Sequence, residues 1–167
     1  MENNNNYIIS AIVEHKPGVL HGVSNMFRRR GFNIESISVG PTERMDLARM
    51  TITIRGDKRT VEQLVKQLNK LVYVLKVSIL DPANTVAREL ALIKVNTPDQ
   101  NARLDVISYA EIFKGHIVDV SHKSLIVEIT GDPDKINAFI NLMKPFGIEE
   151  LARTGITALP RGLKQLK

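Results

Sequence analysis

The chain has 167 residues, 43% hydrophobic, 25% charged and 5% aromatic, with no cysteine and no tryptophan. That is the balance of a globular protein long enough for one medium domain or two small ones, and it excludes disordered and fibrous classes, disulfides, zinc fingers, iron–sulfur clusters and thiol catalysis. The formal net charge of +5 raises the question of nucleic acid. Residues 1–82 carry 12 Lys and Arg against 8 Asp and Glu, and residues 83–167 carry 11 against 10, so the excess is mild and dispersed. No apolar run approaches the roughly 20 residues of a membrane helix, and the opening MENNNN has neither the basic start nor the apolar core of a secretory signal. The expectation is a soluble cytoplasmic protein with no membrane partner, whose residues 1–6 form a disordered tract.

In chain order, Tyr7 to Val13 reads as a strand. A helix from Pro17 to Arg30 follows, with Val19, Leu20, Val23, Met26 and Phe27 as its apolar stripe, Pro17 in its first turn and Gly31 as its left-handed stop. Ile34 to Val39 reads as a second strand, Ile37 and Val39 facing away from Ser36 and Ser38. Arg49 to Arg55 alternates Met50, Ile52 and Ile54 with arginine and threonine, which predicts a sheet covered by helices on one face only. Asp57 is the predicted N-cap of a helix striped by Val61, Leu64, Val65, Leu68 and Leu71. In the closing strand Leu75, Val77 and Ile79 alternate with Lys76 and Ser78.

The second half repeats this order. Leu90 to Val95 is a strand, and Thr97, Pro98 and Gln100 read as N-cap, first-turn proline and capping-box partner of a helix to about Lys114, stopped by Gly115. Ile117 to Val120 and Leu125 to Thr130 are strands joined by a short turn. Asp132-Pro133 opens a helix striped by Ile136, Phe139, Ile140 and Met143, and Pro145 and Gly147 end it. Ile148 to Leu159 holds the last strand before a basic tail. Two βαββαβ copies imply an α+β protein of two tandem ferredoxin-like domains. Their predicted bounds are 7–81 and 90–167, with 82–89 as linker. Domains this small are expected to lean on a neighbour or to form a dimer.

Chemistry-bearing motifs are few. Gly18 lies where the first strand feeds the first helix, so it either only makes the turn or lets a small carboxylate approach free amides at the helix N-terminus. Asn33 is either an ordinary surface residue or, beside a neighbouring subunit's loop, an amide suited to an α-amino acid. Arg28-Arg29-Arg30 complements the helix dipole or binds phosphate. A nucleic-acid regulator built on these units is the rival reading, but the outward face of Arg49 to Arg55 offers no aromatic for stacking. The four histidines show no metal-ligand spacing, no phosphate loop or nucleophile elbow is present, and Asp132 and Asp134 fit helix capping, so a regulatory binding protein is favoured over a catalyst and no metal is expected.

The run EHKPGVLHGVSNMFRRRGFNIESISVGPTE resembles the start of the small regulatory subunit of acetolactate synthase (acetohydroxyacid synthase). The likeness continues through LARMTITIRGD, QLNKLVYVLKV, VARELALIKV, AEIFKGHIVDVS and ARTGITALPRG, covering essentially the whole chain after the asparagine tract. The resemblance implies an N-terminal ACT amino-acid-sensing domain and a second ferredoxin-like domain that contacts and activates the large catalytic subunit. It implies no catalysis and no cofactor on this chain, the large subunit using thiamine diphosphate, magnesium and FAD. It also implies a homodimer through the ACT domains, and feedback inhibition in branched-chain amino acid biosynthesis by valine or a related amino acid. On the matching positions, the loop of His15, Lys16, Pro17, Gly18, Val19 and Leu20 would receive the effector carboxylate, and Asn33 and Ile34 of the partner subunit would complete the pocket. The resemblance departs at His15, where related chains often carry asparagine.

Overall fold

Asn5–Glu14 (β1) and Leu47–Gly56 (β3) pair antiparallel over their full lengths, Asn5 opposite Gly56 and Glu14 opposite Leu47. Alternation drives this pairing: Ile9, Ala11 and Val13 of β1 and Met50, Ile52 and Ile54 of β3 all point to one face and are buried there. The computed structural model describes residues 5–162. The chain divides into a first unit, Met1–Val86 with Ile156–Lys167, and a second, Ala87–Gly155. Both are built on βαββαβ order, giving the α+β, tandem ferredoxin-like architecture read from the repeat.

In the first unit the remaining elements are Val19–Arg29 (α1), Ser36–Pro41 (β2), Lys58–Leu68 (α2) and Val74–Leu80 (β4), and the sheet order is β2-β3-β1-β4. Val19, Val23 and Phe27 of α1 and Val61, Leu64 and Leu68 of α2 close the core against the sheet. Asp57 caps α2 as predicted, accepting from the Thr60 amide at 2.9 Å, and that hydrogen bonding holds its carboxyl below the usual carboxylate range.

Several expectations are corrected here. Residues 1–4 of the tract expected to be disordered lie outside the described residues, but Asn5 and Asn6 are strand, because β3 runs on to Gly56 and Arg55 opposite them. Pro17 does not enter α1: it precedes Gly18, which takes φ 86° and is itself the N-cap. Leu20 leaves the predicted stripe and is 46% exposed. In β4, Val74 and Val77 are buried while Leu75 is exposed, since a register shift at Ile12/Val13 places Val74 opposite Val13 and leaves Leu75 out of the pairing; farther on, Leu80 is buried and Ile79, in register opposite Ile9, is 37% exposed. The helices cover one face of the sheet, as expected, and the second face is polar. Ser10 and Thr51 are buried, and hydroxyl and guanidinium groups pair across this face: Ser36 Oγ with Thr53 Oγ1 at 2.6 Å, and Arg49 with Ser10 Oγ at 3.0 Å. Ser38 Oγ there meets Thr157 Oγ1 at 2.9 Å.

The end of α1 is a Schellman motif. Gly31, at φ 70°, donates to the Arg28 carbonyl, and Phe32 donates to that of Phe27, both at 3.1 Å. Phe32 packs on the core that holds Phe27, so the chain leaves the helix at a defined angle. Gly22 answers a different demand: a Cβ there would lie 1.7 Å from the Tyr73 hydroxyl, which sits on the α1 backbone.

The second unit contains Thr85–Asn96 (β5) from Ala87 on, Gln100–Ile112 (α3), His116–Val120 (β6), Ser124–Gly131 (β7), Pro133–Met143 (α4) and Ile148–Arg153 (β8), in sheet order β6-β7-β5-β8. Its core holds the whole predicted α4 stripe, Ile136, Phe139, Ile140 and Met143. Arg153 joins the buried Glu89 carboxylate and also donates to Asn137 Oδ1 at 3.0 Å, so the acid is not left unpaired. The stretch 82–89 is not an open linker: Pro82–Asn84 is one turn of 3-10 helix and β5 begins at Thr85.

Three helix and strand ends also differ from expectation. Asp99, not Thr97, caps α3, accepting from the Ala102 amide at 2.9 Å. The helix therefore starts two residues later than expected, Gln100 becomes its first residue rather than a capping-box partner, and the buried Thr97 hydroxyl has no partner. Lys114, not Gly115, takes the left-handed position after α3, at φ 54°. Gly115 is dictated by the sheet instead, since a Cβ on it would lie 3.0 Å from the Glu128 carbonyl oxygen. The final strand is two: β8 ends at Arg153, Gly155 turns at φ 78°, and Thr157–Pro160 (β9) belongs to the first unit, where Arg161 donates to the Asn84 carbonyl at 2.7 Å. Of the basic tail, residues 163–167 lie outside the described residues.

Candidate functional site

Lys16, Pro17, Gly18 and Val19 form a β-turn whose third residue, Gly18, has φ 86° and ψ −15°, the type II geometry that proline at the second position and glycine at the third favour. The closing Val19 to Lys16 hydrogen bond is long, 3.4 Å, and the first full helical bond runs from Gly22 to the Gly18 carbonyl at 2.9 Å. No side chain caps this end of α1. The first-turn amides and the positive end of the helix dipole therefore face outward behind a residue without Cβ. A Cβ built on Gly18 would find nothing within 4 Å, so the space before these amides is open.

The other loop residues divide by role. Val19 is buried and anchors the helix start, while Leu20 presents an exposed apolar side chain beside the turn. Lys16 is drawn to Glu14, with Nζ 3.1 Å from its carboxylate. His15 is tied to the β2–β3 loop: its amide donates to the Asp46 carbonyl at 2.8 Å, and Nδ1 lies 3.4 Å from the Met45 carbonyl oxygen.

That loop is the part of the neighbourhood the sequence reading missed. Antiparallel pairing sets Glu14 opposite Leu47, so the residues just before Leu47 must flank the turn. Arg44 and Asp46 clasp one another at 2.7 Å, which pushes the arginine up and the aspartate down from their ordinary ionisation ranges, and Met45 between them is almost fully exposed. The signal available was adjacency: the loop joins the strand beside β1, and an exposed Met between two charges has no core role.

Asn33 and Ile34 are elsewhere. β1 and β2 both run antiparallel to β3, so they run parallel to each other, and the turn at the end of β1 lies at the opposite end of the sheet from the residues that enter β2. Glu35 donates to the Thr53 carbonyl at 2.9 Å, whereas the turn lies beyond Leu47. Six residues of strand separate these levels, about 20 Å. Asn33 is exposed and Ile34 packs partly on the core. One chain thus does not bring the two groups of residues together. Among the described residues, no three His, Cys, Asp or Glu converge as a metal site would require.

Sheet order, tandem units and a glycine turn ahead of the first helix define an ACT and ferredoxin-like tandem protein. The model of the AHAS small subunit-like ACT domain matches residues 9–76, and that of the small subunit of acetolactate synthase matches residues 88–162. The chain belongs to the family of acetolactate synthase small subunits. It is 57% identical over 160 residues to a probable acetolactate synthase small subunit of Methanothermobacter thermautotrophicus, covering 96% of this chain and 95% of that one. To the acetolactate synthase small subunit of Mycolicibacterium smegmatis it is 46% identical over 156 residues, covering 93% and 91%. The crystal structure of the small subunit from Thermotoga maritima superposes with a TM-score of 0.87 at 47% identity, covering 95% of this chain and 98% of that one.

Proposed function

We propose that this chain is the non-catalytic regulatory partner of an acetolactate synthase large subunit in branched-chain amino acid biosynthesis. In this reading it raises the activity of the thiamine-diphosphate-dependent catalyst and makes it sensitive to valine or a related amino acid. Family membership supports the partnership, and the open turn at Gly18 carries the effector reading. Uncapped amides at a helix N-terminus suit the effector's carboxylate, and the exposed Leu20 suits its branched side chain. Asn33 and Ile34 lie at the far end of the same sheet, so they complete the pocket only from a second copy. β2, at the edge of its sheet, is the natural line along which two copies would join. Sensing an amino acid between millimolar and micromolar needs only about −4 to −8 kcal/mol, within reach of a few amides and one apolar wall.

Inhibition requires that the effector bind one arrangement of the complex more tightly than another. Acetolactate formation should be measured with the large subunit alone, with this chain added, and with this chain plus valine, leucine or isoleucine. A rise on mixing and a fall with one amino acid are expected. An unchanged rate on mixing would overturn the regulatory reading.

A further inference from the structure

The helical layer of the first unit carries a positively charged groove that neither the core nor the Gly18 turn uses. Two adjoining clefts of about 630 and 340 Å³ lie between α1 and α2 and share Arg30, Gln67 and Lys70. Lys66 lines the larger and Arg29 the smaller. The floor is apolar, with Phe32 and Leu64 in one cleft and Met26 and Leu71 in the other.

Complementing the dipoles of the two helix C-termini accounts for some positive charge here, while Arg28, which lines neither cleft, folds back onto Asn25 Oδ1 at 3.1 Å. It does not account for four cations beside one groove without counter-charges. Among the described residues, Arg29, Arg30, Lys66 and Lys70 form no ion pair, α1 contains no acidic residue, and α2 contains only Glu62. The cations are divided between the two clefts, which the side chain of Gln67 also lines, with Gln63 in the larger. A continuous groove with an apolar floor and positive walls is complementary to a helix that carries an apolar stripe flanked by carboxylates.

We infer that this groove docks an acidic amphipathic segment of the large catalytic subunit. The inference rests on the reading of this chain as that enzyme's regulatory partner. It deepens that reading by assigning a surface of the first unit to the contact.

The test uses the full chain and the full large subunit. Binding is titrated at about 50 and about 200 mM salt, where charge attraction is screened to different degrees. The wild type is compared with Arg30→Glu/Lys70→Glu, and with Arg28→Glu as a nearby charge reversal outside the groove. The double variant should bind about tenfold or more weakly at low salt and show a flatter salt dependence, with Arg28→Glu close to wild type. On the wild-type protein alone, a lysine-acetylating reagent should modify Lys66 and Lys70 in the free chain and spare them in the complex, while exposed Lys58 and Lys76 react in both. Unchanged affinity of the double variant, or continued acetylation of Lys66 and Lys70 in a wild-type complex, overturns the groove assignment and leaves the regulatory reading standing. Failure of the wild type to bind the large subunit at all overturns both. A groove that instead retains a single-stranded oligonucleotide in competition with the large subunit would also overturn the assignment.

Discussion

Gly18→Asp is expected to weaken valine binding by about 100-fold or more, equivalent to about 2.7 kcal/mol. Two effects combine. At φ 86° any residue with a Cβ costs about 1–2 kcal/mol of backbone strain, and the new carboxylate would occupy the amide cradle that the effector's own carboxylate needs. Steric damage to the fold is not a factor, because nothing lies within 4 Å of the added Cβ. Gly18→Asn separates the two effects: asparagine tolerates the left-handed region better and carries no charge, so it should bind within about tenfold of wild type. Calorimetry with valine, leucine and isoleucine on all three proteins makes the comparison. Wild-type affinity in Gly18→Asp would place the effector elsewhere. In the assembled enzyme the same variant should lose effector inhibition while still activating the large subunit.

Phe27→Ala should cost about 3–5 kcal/mol, a large share of the stability of so small a unit. Phe27 is 1% exposed, among the largest fully buried side chains, and it meets Val23, Leu64 and the sheet in one cluster. Its removal also takes away the apolar partner that accompanies the Phe32 to Phe27 hydrogen bond ending α1. Asn33 follows directly, so effector affinity should fall along with stability. Phe139→Ala in the second unit provides the contrast, with a comparable loss in denaturant unfolding and no loss of effector affinity. Equal effects of the two on affinity would mean that the exit of α1 does not position Asn33.

What could be read from the residues alone followed the strength of periodicity. The stripe of α4 and the alternation in β3 are long and unbroken, and both fold as read. The double βαββαβ order followed from them, since few arrangements bury such a set of faces. Errors gathered where two local rules competed. Thr97 before proline is a fair N-cap by type, as Asp132 before Pro133 proves to be, yet Asp99 two residues on is an equally good cap and takes the role. Gly115 is a fair helix stop, yet the neighbouring strand needs a residue without Cβ at that point more than the helix end does. Leu75 fits an alternating strand until the register shifts opposite Ile12 and Val13, a feature that belongs to the pair of strands and not to either one.

The candidate site was legible in a similar measure. Pro-Gly followed by an amphipathic helix marked the open N-terminus directly. The Arg44–Asp46 loop beside it was missed, because its position depends on which strand lies next to β1, and only the exposed Met45 between two charges hinted at it. The groove between α1 and α2 was visible only as its parts: the arginine run was noted, but Lys66 and Lys70 lie some 40 residues on, and only the packing of the two helices sets them beside it.

The placement of the Gly18 turn and Asn33 at opposite ends of one sheet bears on genetics. In a symmetric pair of copies, each pocket would take its turn from one chain and its asparagine from the other. Two feedback-insensitive alleles, Gly18→Asp and Asn33→Ala, would then complement each other in mixed dimers. One pocket would collect both lesions and the other would be wholly wild type, restoring feedback to half the sites without either mutation being reversed.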